Sequence, residues 1–305
     1  MDSARIIPYP LRQSSKLPVG VGTKTAGQLR AAASHLTNTT EGYIIAPKRY
    51  TRMDRLSFTR IHLPSTTSTN DVARDLAARG APEGTVVTAE YQTAGRGRLG
   101  RRWLAPPGTS LLCSLLFRPP PGLTLLPHPA DLTMLCALAA ADAVEKAAGL
   151  PVSLKWPNDL VVVRGESWRK LGGLLAETGI SGDRVEFVVV GVGINVNVPA
   201  ESLPDLAPDA TSILAETGRE TDRDSLLEQF LDGVASRHAR WRAGERPWAE
   251  WAARLATLGR AVRVVTSERE LHGIAEGVDE EGTLLLRTPD GALHRIRVGD
   301  ILLAH

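Results

Sequence analysis

Four arginines and three glycines crowd into the nine residues GRGRLGRRW, Gly95–Trp103, which close on a tryptophan. Guanidinium groups stay charged and grip carboxylates and phosphates through forked donors, and glycines let successive backbone N–H groups turn toward an anion. A dinucleotide fingerprint needs a helix opening at the glycines, but Pro106, Pro107 and Gly108 stop one, and no acidic residue lies at the required distance downstream. A P-loop needs Lys and then Ser or Thr after its second glycine, where Arg101 and Arg102 stand. An RG-rich nucleic-acid segment would repeat and interleave aromatics, whereas this is one compact loop with Trp103 alone. An ordered loop with unpaired arginines is costly unless an anion joins them, so the stretch reads as a binder of a small anionic ligand.

The elements that must position this loop alternate from Leu56 onward. Phe58–Leu63 and Thr85–Glu90 read as strands on either side of a helix Asn70–Arg79, with Ser68 or Thr69 as its cap and Gly80 as its stop. The loop follows the second strand directly. Ser110–Phe117 is a buried strand, a proline-rich turn spans Arg118–Pro129, and Ala130–Ala148 is a helix closed by Gly149. Strands are expected at Val152–Lys155, Asp159–Val163, Leu171–Glu177 and Val185–Val192, the first two joined by the turn WPN. Asp222–Arg242 and Trp248–Leu258 are helical, the first with Leu226, Leu227, Phe230 and Val234 on one side. After Gly259 the texture becomes short strands, Val262–Val265, Leu271–Gly277, Thr283–Arg287 and His294–Val298, with turns at EEG and PDG. The result is an α+β chain with an antiparallel or mixed sheet and a small β unit at its C-terminus.

Composition narrows the class. No apolar run approaches the roughly 18 residues of a membrane span, so no membrane role is expected. Cys113 and Cys136 lack metal-site spacing and read as buried free thiols of a reducing compartment, hence a cytoplasmic protein. The net charge of +2 conceals an asymmetry: residues 1–52 hold eight Lys or Arg against Asp2 and Glu41, a local +6 that leaves −4 for the remainder. That segment shows no sustained period apart from a short helical stretch near Gln28–Leu36, and it reads as a basic flexible extension, with Met53 a candidate native start.

Five motifs in order carry a resemblance: STN at Ser68–Asn70, EYQTAGRGRLGRRW at Glu90–Trp103, KWPNDL at Lys155–Leu160, KLGGLLAE at Lys170–Glu177 and GVGIN at Gly191–Asn195. Together they resemble the biotin protein ligases, over about residues 56–305. The resemblance implies a class II synthetase-like α+β fold, a mixed or antiparallel sheet with flanking helices, followed by a small SH3-like β-barrel. It divides the chain into an extension (1–55), a catalytic domain (56–258) and a C-terminal domain (259–305).

It also implies the chemistry. Biotin's carboxylate attacks the α-phosphate of ATP to give biotinyl-5'-AMP and pyrophosphate, and a lysine of a biotin carboxyl carrier protein, as in acetyl-CoA carboxylase, then takes the biotinyl group. By the family's pattern Ser68, Thr69 and Asn70 face biotin's ureido ring, Thr69 also being a candidate cap, and Gln92 hydrogen-bonds biotin. Gly95, Arg96, Gly97 and Arg98 cover the carboxylate and phosphates, and Lys170 reaches the reacting oxygens; Lys170 and Arg98 are the catalytic pair. Trp103 packs on the ligand or closes the loop's base. Asn158 and Asp159 contact nucleotide or Mg²⁺, or orient the incoming lysine, Asp159 otherwise being a turn carboxylate. Gly193 and Asn195 either let the backbone approach the adenine or form a structural turn. Too few residues precede Phe58 for the winged helix-turn-helix that some members carry, so no operator binding is expected, and a homodimer is plausible for the family. Two alternatives are a lipoate protein ligase of the same architecture and a nucleic-acid module built on the arginine loop.

Overall fold

The computed structural model describes residues 6–8, 43–45, 56–118, 129–182 and 184–303. The stretch near Gln28–Leu36, Met53 and all but the ends of the proline-rich turn lie outside them. The chain divides into two compact units, Met1–Pro127 with Leu175–Gly193, and His128–Leu174 with Ile194–His305.

The first unit begins with two short strands, β1 (Ile6–Pro8) and β2 (Tyr43–Ile45), in the stretch read as an extension. β2 pairs antiparallel with β3 (Thr59–Leu63). Helix α1 (Thr69–Ala78) then returns the chain so that β4 (Thr85–Ala89) lies parallel to β3, with Ile61 opposite Val87. Adjacent parallel strands need such a crossover. β5 (Ser110–Phe117) runs antiparallel to β4. β9 (Arg184–Asn195) and the distal part of β8 (Ser167–Ser181) extend the sheet in the order β1-β2-β3-β4-β5-β9-β8. Parallel and antiparallel pairs make it mixed, as the α+β reading expects.

α1 buries Val72, Ala73, Leu76 and Ala77, a helical stripe, against Ile61, Leu63, Val87, Leu116 and Val189 of the sheet. Gly80, at φ 86, ends it, and the Ala81 N–H donates back to the Leu76 carbonyl, which closes the last turn.

The second unit holds the proximal part of β8, then β7 (Asp159–Arg164) and β6 (Ser153–Lys155), all antiparallel. Its core is the helix pair α2 (Pro129–Ala148) and α4 (Arg223–Arg242). Nearly every residue of α2 from Leu132 to Val144 is buried, which explains its Ala/Leu composition, and α4 meets it with Leu226, Leu227, Phe230 and Val234, the side read from periodicity. Two shorter helices, α3 (Ile213–Thr217) and α5 (Trp248–Ala253), complete the layer; α3 has only five residues, too few to show a period. The C-terminal residues form a five-stranded antiparallel sheet in the linear order β13-β12-β11-β10-β14. Its strands are β10 (Ala261–Val265), β11 (Glu270–Val278), β12 (Leu284–Arg287), β13 (Leu293–Ile296) and β14 (Asp300–Leu303). The last strand, which pairs with β10, was not anticipated. Among the described residues the five strands form one antiparallel sheet in which no pairing joins β13 to β14.

Candidate functional site

In the first unit three motifs converge. The N-terminus of α1 carries STN. Its N-cap is Ser68, which is buried but makes no side-chain cap, and Thr69 does not cap either. The cap comes from the other side of the motif set: Gln92 Oε1 accepts from the Thr69 N–H at 2.7 Å and from its hydroxyl at 3.1 Å. A helix start leaves orphan N–H groups that a side-chain oxygen can satisfy, and here the oxygen arrives from the chain after β4. Gln92 Oε1 is thereby spent on the protein, while its Nε2 makes no such bond.

Asn70 is the junction. Its Oδ1 accepts from Ser114 Oγ at 2.6 Å, and its Nδ2 donates to the Leu175 carbonyl at 3.3 Å and to Glu177 Oε2 at 2.7 Å. Ser114 Oγ also lies 2.8 Å from Thr69 Oγ1. The Asn70 amide was expected to face a ligand; here both Nδ2 bonds and one bond to Oδ1 are made inside the protein, and it packs where a Cβ on Gly191 would stand 2.2 Å from its Oδ1.

Gly95–Trp103 is a hairpin-like excursion. The Trp103 N–H donates to the Gly95 carbonyl, Arg96 bridges Arg102, and the Gly97 N–H donates to the Arg101 carbonyl. Gly95 is obligatory because a Cβ there would meet the Trp103 carbonyl oxygen at 2.5 Å. The tip is a single 3₁₀ turn, Arg98–Gly100, in which Leu99 adopts φ 53 and is 64% exposed. A leucine in the left-handed region costs about 1–2 kcal/mol, a strain that sequence inspection gave no hint of. Of the two roles open to Trp103, closing the base of the loop is the one its backbone performs. Its indole lies against Gly193, where a Cβ would come within 2.6 Å of the ring, and its Nε1–H is buried without a partner.

The loop was expected to need an external anion for its arginines. Arg96 has protein anions instead: its guanidinium reaches Asp71 Oδ1 at 2.5 Å and Glu177 Oε2 at 2.8 Å. The hydrogen bond to Asp71, outweighing partial burial and helped by Glu177, raises the Arg96 pKa above its ordinary value.

The second unit holds the KWPNDL hairpin and Lys170. Asp159 pairs with Gly173 and Val161 with Lys170, so a bulge at Leu171 separates two otherwise regular stretches of β7 and β8. Three residues apart on a regular strand, Lys170 and Gly173 would face opposite ways; the bulge puts both on the side of Asp159. Lys170 Nζ consequently sits 2.7 Å from Asp159 Oδ1. A Cβ on Gly173 would lie 3.2 Å from that oxygen and 3.6 Å from Lys170 Nζ, so the second glycine of KLGG makes room for the pair. Lys155 Nζ lies 4.0 Å from Asp159 Oδ2 and 5.5 Å from the Trp168 ring centroid. One carboxylate is therefore set between two ammonium groups, and among the described residues no three His, Cys, Asp or Glu side chains gather to hold a metal. Mg²⁺ in nucleotide sites is held by one or two carboxylates together with substrate phosphates, and Asp159, with Oδ1 on Lys170, is the carboxylate this set offers.

Asn158 ties β7 to β8, its carbonyl accepting from the Leu174 N–H and its Nδ2 donating to the Leu174 carbonyl. Asn195, almost fully buried at the end of β9, donates Nδ2 to the Thr211 carbonyl at 3.0 Å and leaves Oδ1 buried with no partner. A buried orphan acceptor costs about 1–3 kcal/mol, and it is suited to an incoming N–H donor. Asp71, Ser114, Lys155 and Glu177 escaped the sequence-level site set. Three carried a signal, since Asp71 directly follows STN, Lys155 opens KWPNDL and Glu177 closes KLGGLLAE.

Comparison with known proteins places these motifs. The model of the biotin/lipoate A/B protein ligase family matches residues 62–195, and that of the biotin protein ligase C-terminal domain matches residues 257–303. The biotin--[acetyl-CoA-carboxylase] ligase of Paracoccus denitrificans is 39% identical over 240 residues, covering 75% of this chain and 94% of that protein. The bifunctional ligase/repressor BirA of Bacillus subtilis is 37% identical over 240 residues, 77% of this chain and 70% of the relative. Among solved structures, the biotin protein ligase from Aquifex aeolicus in complex with biotin and ATP aligns with a TM-score of 0.65 at 28% identity, over 80% of this chain and 98% of that one.

Proposed function

The chain belongs to the biotin/lipoate A/B protein ligase family, and from that premise we infer that it is a biotin protein ligase, an ATP-dependent enzyme that activates biotin as biotinyl-5'-AMP and transfers it to a lysine of a carboxylase carrier protein. The observation that carries this reading is the convergence of STN, the arginine loop and KLGGLLAE on one hydrogen-bonded cluster of the first unit. Motifs that were only surface turns would have no reason to share Asn70, Gln92 and Glu177.

The first step must bring a carboxylate onto a polyanionic nucleotide, which requires cations aimed where charge accumulates. We assign Lys170 to the reacting oxygens. Asp159 holds its ammonium by a short contact on a bulged strand, so its position is set before substrate arrives. Arg98, carried on the tip beyond the closely packed Gly95 and Gly97, is assigned to the phosphates, and the Gln92 Nε2 donors and the buried Ser68 to biotin. Gly193, under the Trp103 indole, and Asn195, through its orphan Oδ1, are assigned to the adenine, whose exocyclic amine offers such an oxygen a donor. Asn158 keeps the Asp159 hairpin in register. In the second step the carrier lysine attacks the acyl carbon and AMP leaves; the loop's part is to keep water from the mixed anhydride meanwhile. Asp159 holds Lys170 in this reading and is the carboxylate that would hold Mg²⁺ together with the phosphates.

The test is pyrophosphate exchange into ATP with biotin, with lipoate and with neither. Exchange that depends on biotin, followed by labelling of one carrier lysine and falling at least about a hundredfold in Lys170→Ala, is the expected result. Exchange independent of biotin overturns the reading, and lipoate dependence replaces it with the sister activity. A domain boundary near residue 258, a cytoplasmic homodimer and the lack of operator binding belong to the same proposal; limited proteolysis, sedimentation and titration with duplex DNA at physiological salt check them.

A further inference from the structure

The arginine loop's first arginine and the three charged groups around it form a closed set. Glu177 Oε2 receives both Asn70 Nδ2 and Arg96 at 2.7 and 2.8 Å, while Glu177 Oε1 receives Arg74 at 3.2 Å. Asp71 Oδ1 takes the other end of the Arg96 guanidinium at 2.5 Å. Two carboxylates and two guanidiniums cancel, so the cluster adds no net positive charge for a nucleotide. What it does offer is geometry. Arg96 sits between Gly95, where the loop's base is closed by Trp103, and Gly97, where the tip begins. Its bridge pins the root of the loop to α1 and β8, leaving Arg98 to Arg101 as the part beyond the anchor.

We propose that Glu177 is a positioning residue of the ligase reaction, acting through Arg96 to fix the root of the arginine loop and through Asn70 to fix the start of α1. This rests on the biotin ligase reading above. Glu177 touches no reacting atom; its role is to make three motifs one rigid body, so that a tip strained at Leu99 moves about a fixed root. Asp71 completes the hold from the helix side. A carboxylate accepting several charge-assisted hydrogen bonds is a stronger tie than a neutral amide in the same place. Glu177→Gln is therefore the informative change, because it keeps the shape and the bond to Asn70 while removing the charge that Arg96 needs.

The experiment compares the full chain and its Glu177→Gln, Arg96→Ala and double variants by two readouts: biotin-dependent pyrophosphate exchange, and the rate at which radiolabelled biotinyl-5'-AMP escapes from the enzyme without carrier. Loss of one charge-assisted bond is worth about tenfold, so Glu177→Gln is expected to hasten escape about tenfold, with exchange reduced less. If the route runs through Arg96, Glu177→Gln adds little to escape once Arg96→Ala is in place. Equal factors in both backgrounds, unchanged escape, or slower escape would each overturn the proposal. Thermal melts of all four proteins separate positioning from folding, since a purely structural effect would lower the unfolding midpoint and leave escape per folded enzyme unaltered. A wild type without biotin-dependent exchange would instead sink the parent reading.

Discussion

Lys170 shows how one side chain can be placed by a neighbour that has none. With Asp159 Oδ1 only 3.2 Å from a notional Cβ on Gly173, a branched side chain there has no room beside the Lys170–Asp159 pair. Gly173→Val is expected to keep the β7–β8 pairing and lower biotin-dependent exchange about tenfold or more through misplacement of the ammonium; normal exchange with an intact melt would mean the pair is dispensable. Cys113 makes the opposite point, that a reactive residue type can be silenced by its surroundings. Burial in strand β5 pushes its thiol from 9.0 up to about 12, against a smaller downward pull from Arg60. Between those values the unfolded chain gives up a proton that the folded chain keeps, so this group's contribution to stability is intact below pH 9.0 and fades as pH rises toward 12. Alkylation at pH 8 followed by peptide mapping is expected to leave Cys113 unlabelled in the native protein and labelled in denaturant. Its apolar sequence surroundings already indicated burial.

At the scale of elements, local signals were read well and partners poorly. The bounds of β5 were legible to the residue because Ser110–Phe117 is apolar apart from Ser110 and Ser114, and Gly80 and Gly149 stop α1 and α2 because a left-handed residue costs glycine nothing. The cap of α1 was misread for a physical reason: Ser and Thr beside a helix start are the favoured caps, but the oxygen used belongs to Gln92, more than 20 residues away. Nothing in a sequence window discloses a long-range cap. The same holds for the bulge that re-aims Lys170, since a strand pattern carries no mark of its partner's register. The cap assignment predicts an asymmetry. Gln92→Ala should destabilise the first unit by about 1 kcal/mol, the usual worth of a cap, whereas Ser68→Ala should cost less than half of that in a denaturant titration. Equal losses would return the cap to Ser68.

For the whole molecule the sequence disclosed composition and order more readily than connection. The C-terminal strands were recognisable by their turns, yet what they do for the rest of the second unit depends on Trp156, which reads in sequence only as part of a rigid WPN turn. Its indole is 1% exposed and donates Nε1–H to the Gly282 carbonyl at 2.8 Å, in the turn between β11 and β12; its backbone N–H donates to Thr257 Oγ1 at 3.0 Å. The hairpin bearing Lys155 and Asp159 is thus fastened to the C-terminal sheet by one buried donor. A second fastening lies at Asp131, fully buried at the start of α2, which receives Arg246 and the Trp241 indole while Arg246 reaches Glu280 in that same turn. Trp156→Phe separates packing from tethering, since it keeps most of the apolar contact and strands the Gly282 carbonyl. Gly282 is half-buried, so the change costs about the net worth of one hydrogen bond, about 0.5–1.5 kcal/mol, and the variant should melt earlier. If the tether also holds the hairpin that orients Lys170, exchange per folded enzyme should fall several-fold below the melting range. An early melt with full exchange would confine Trp156 to stability. A loss of exchange would instead make the C-terminal sheet part of what positions the catalytic lysine, through a turn that touches neither substrate.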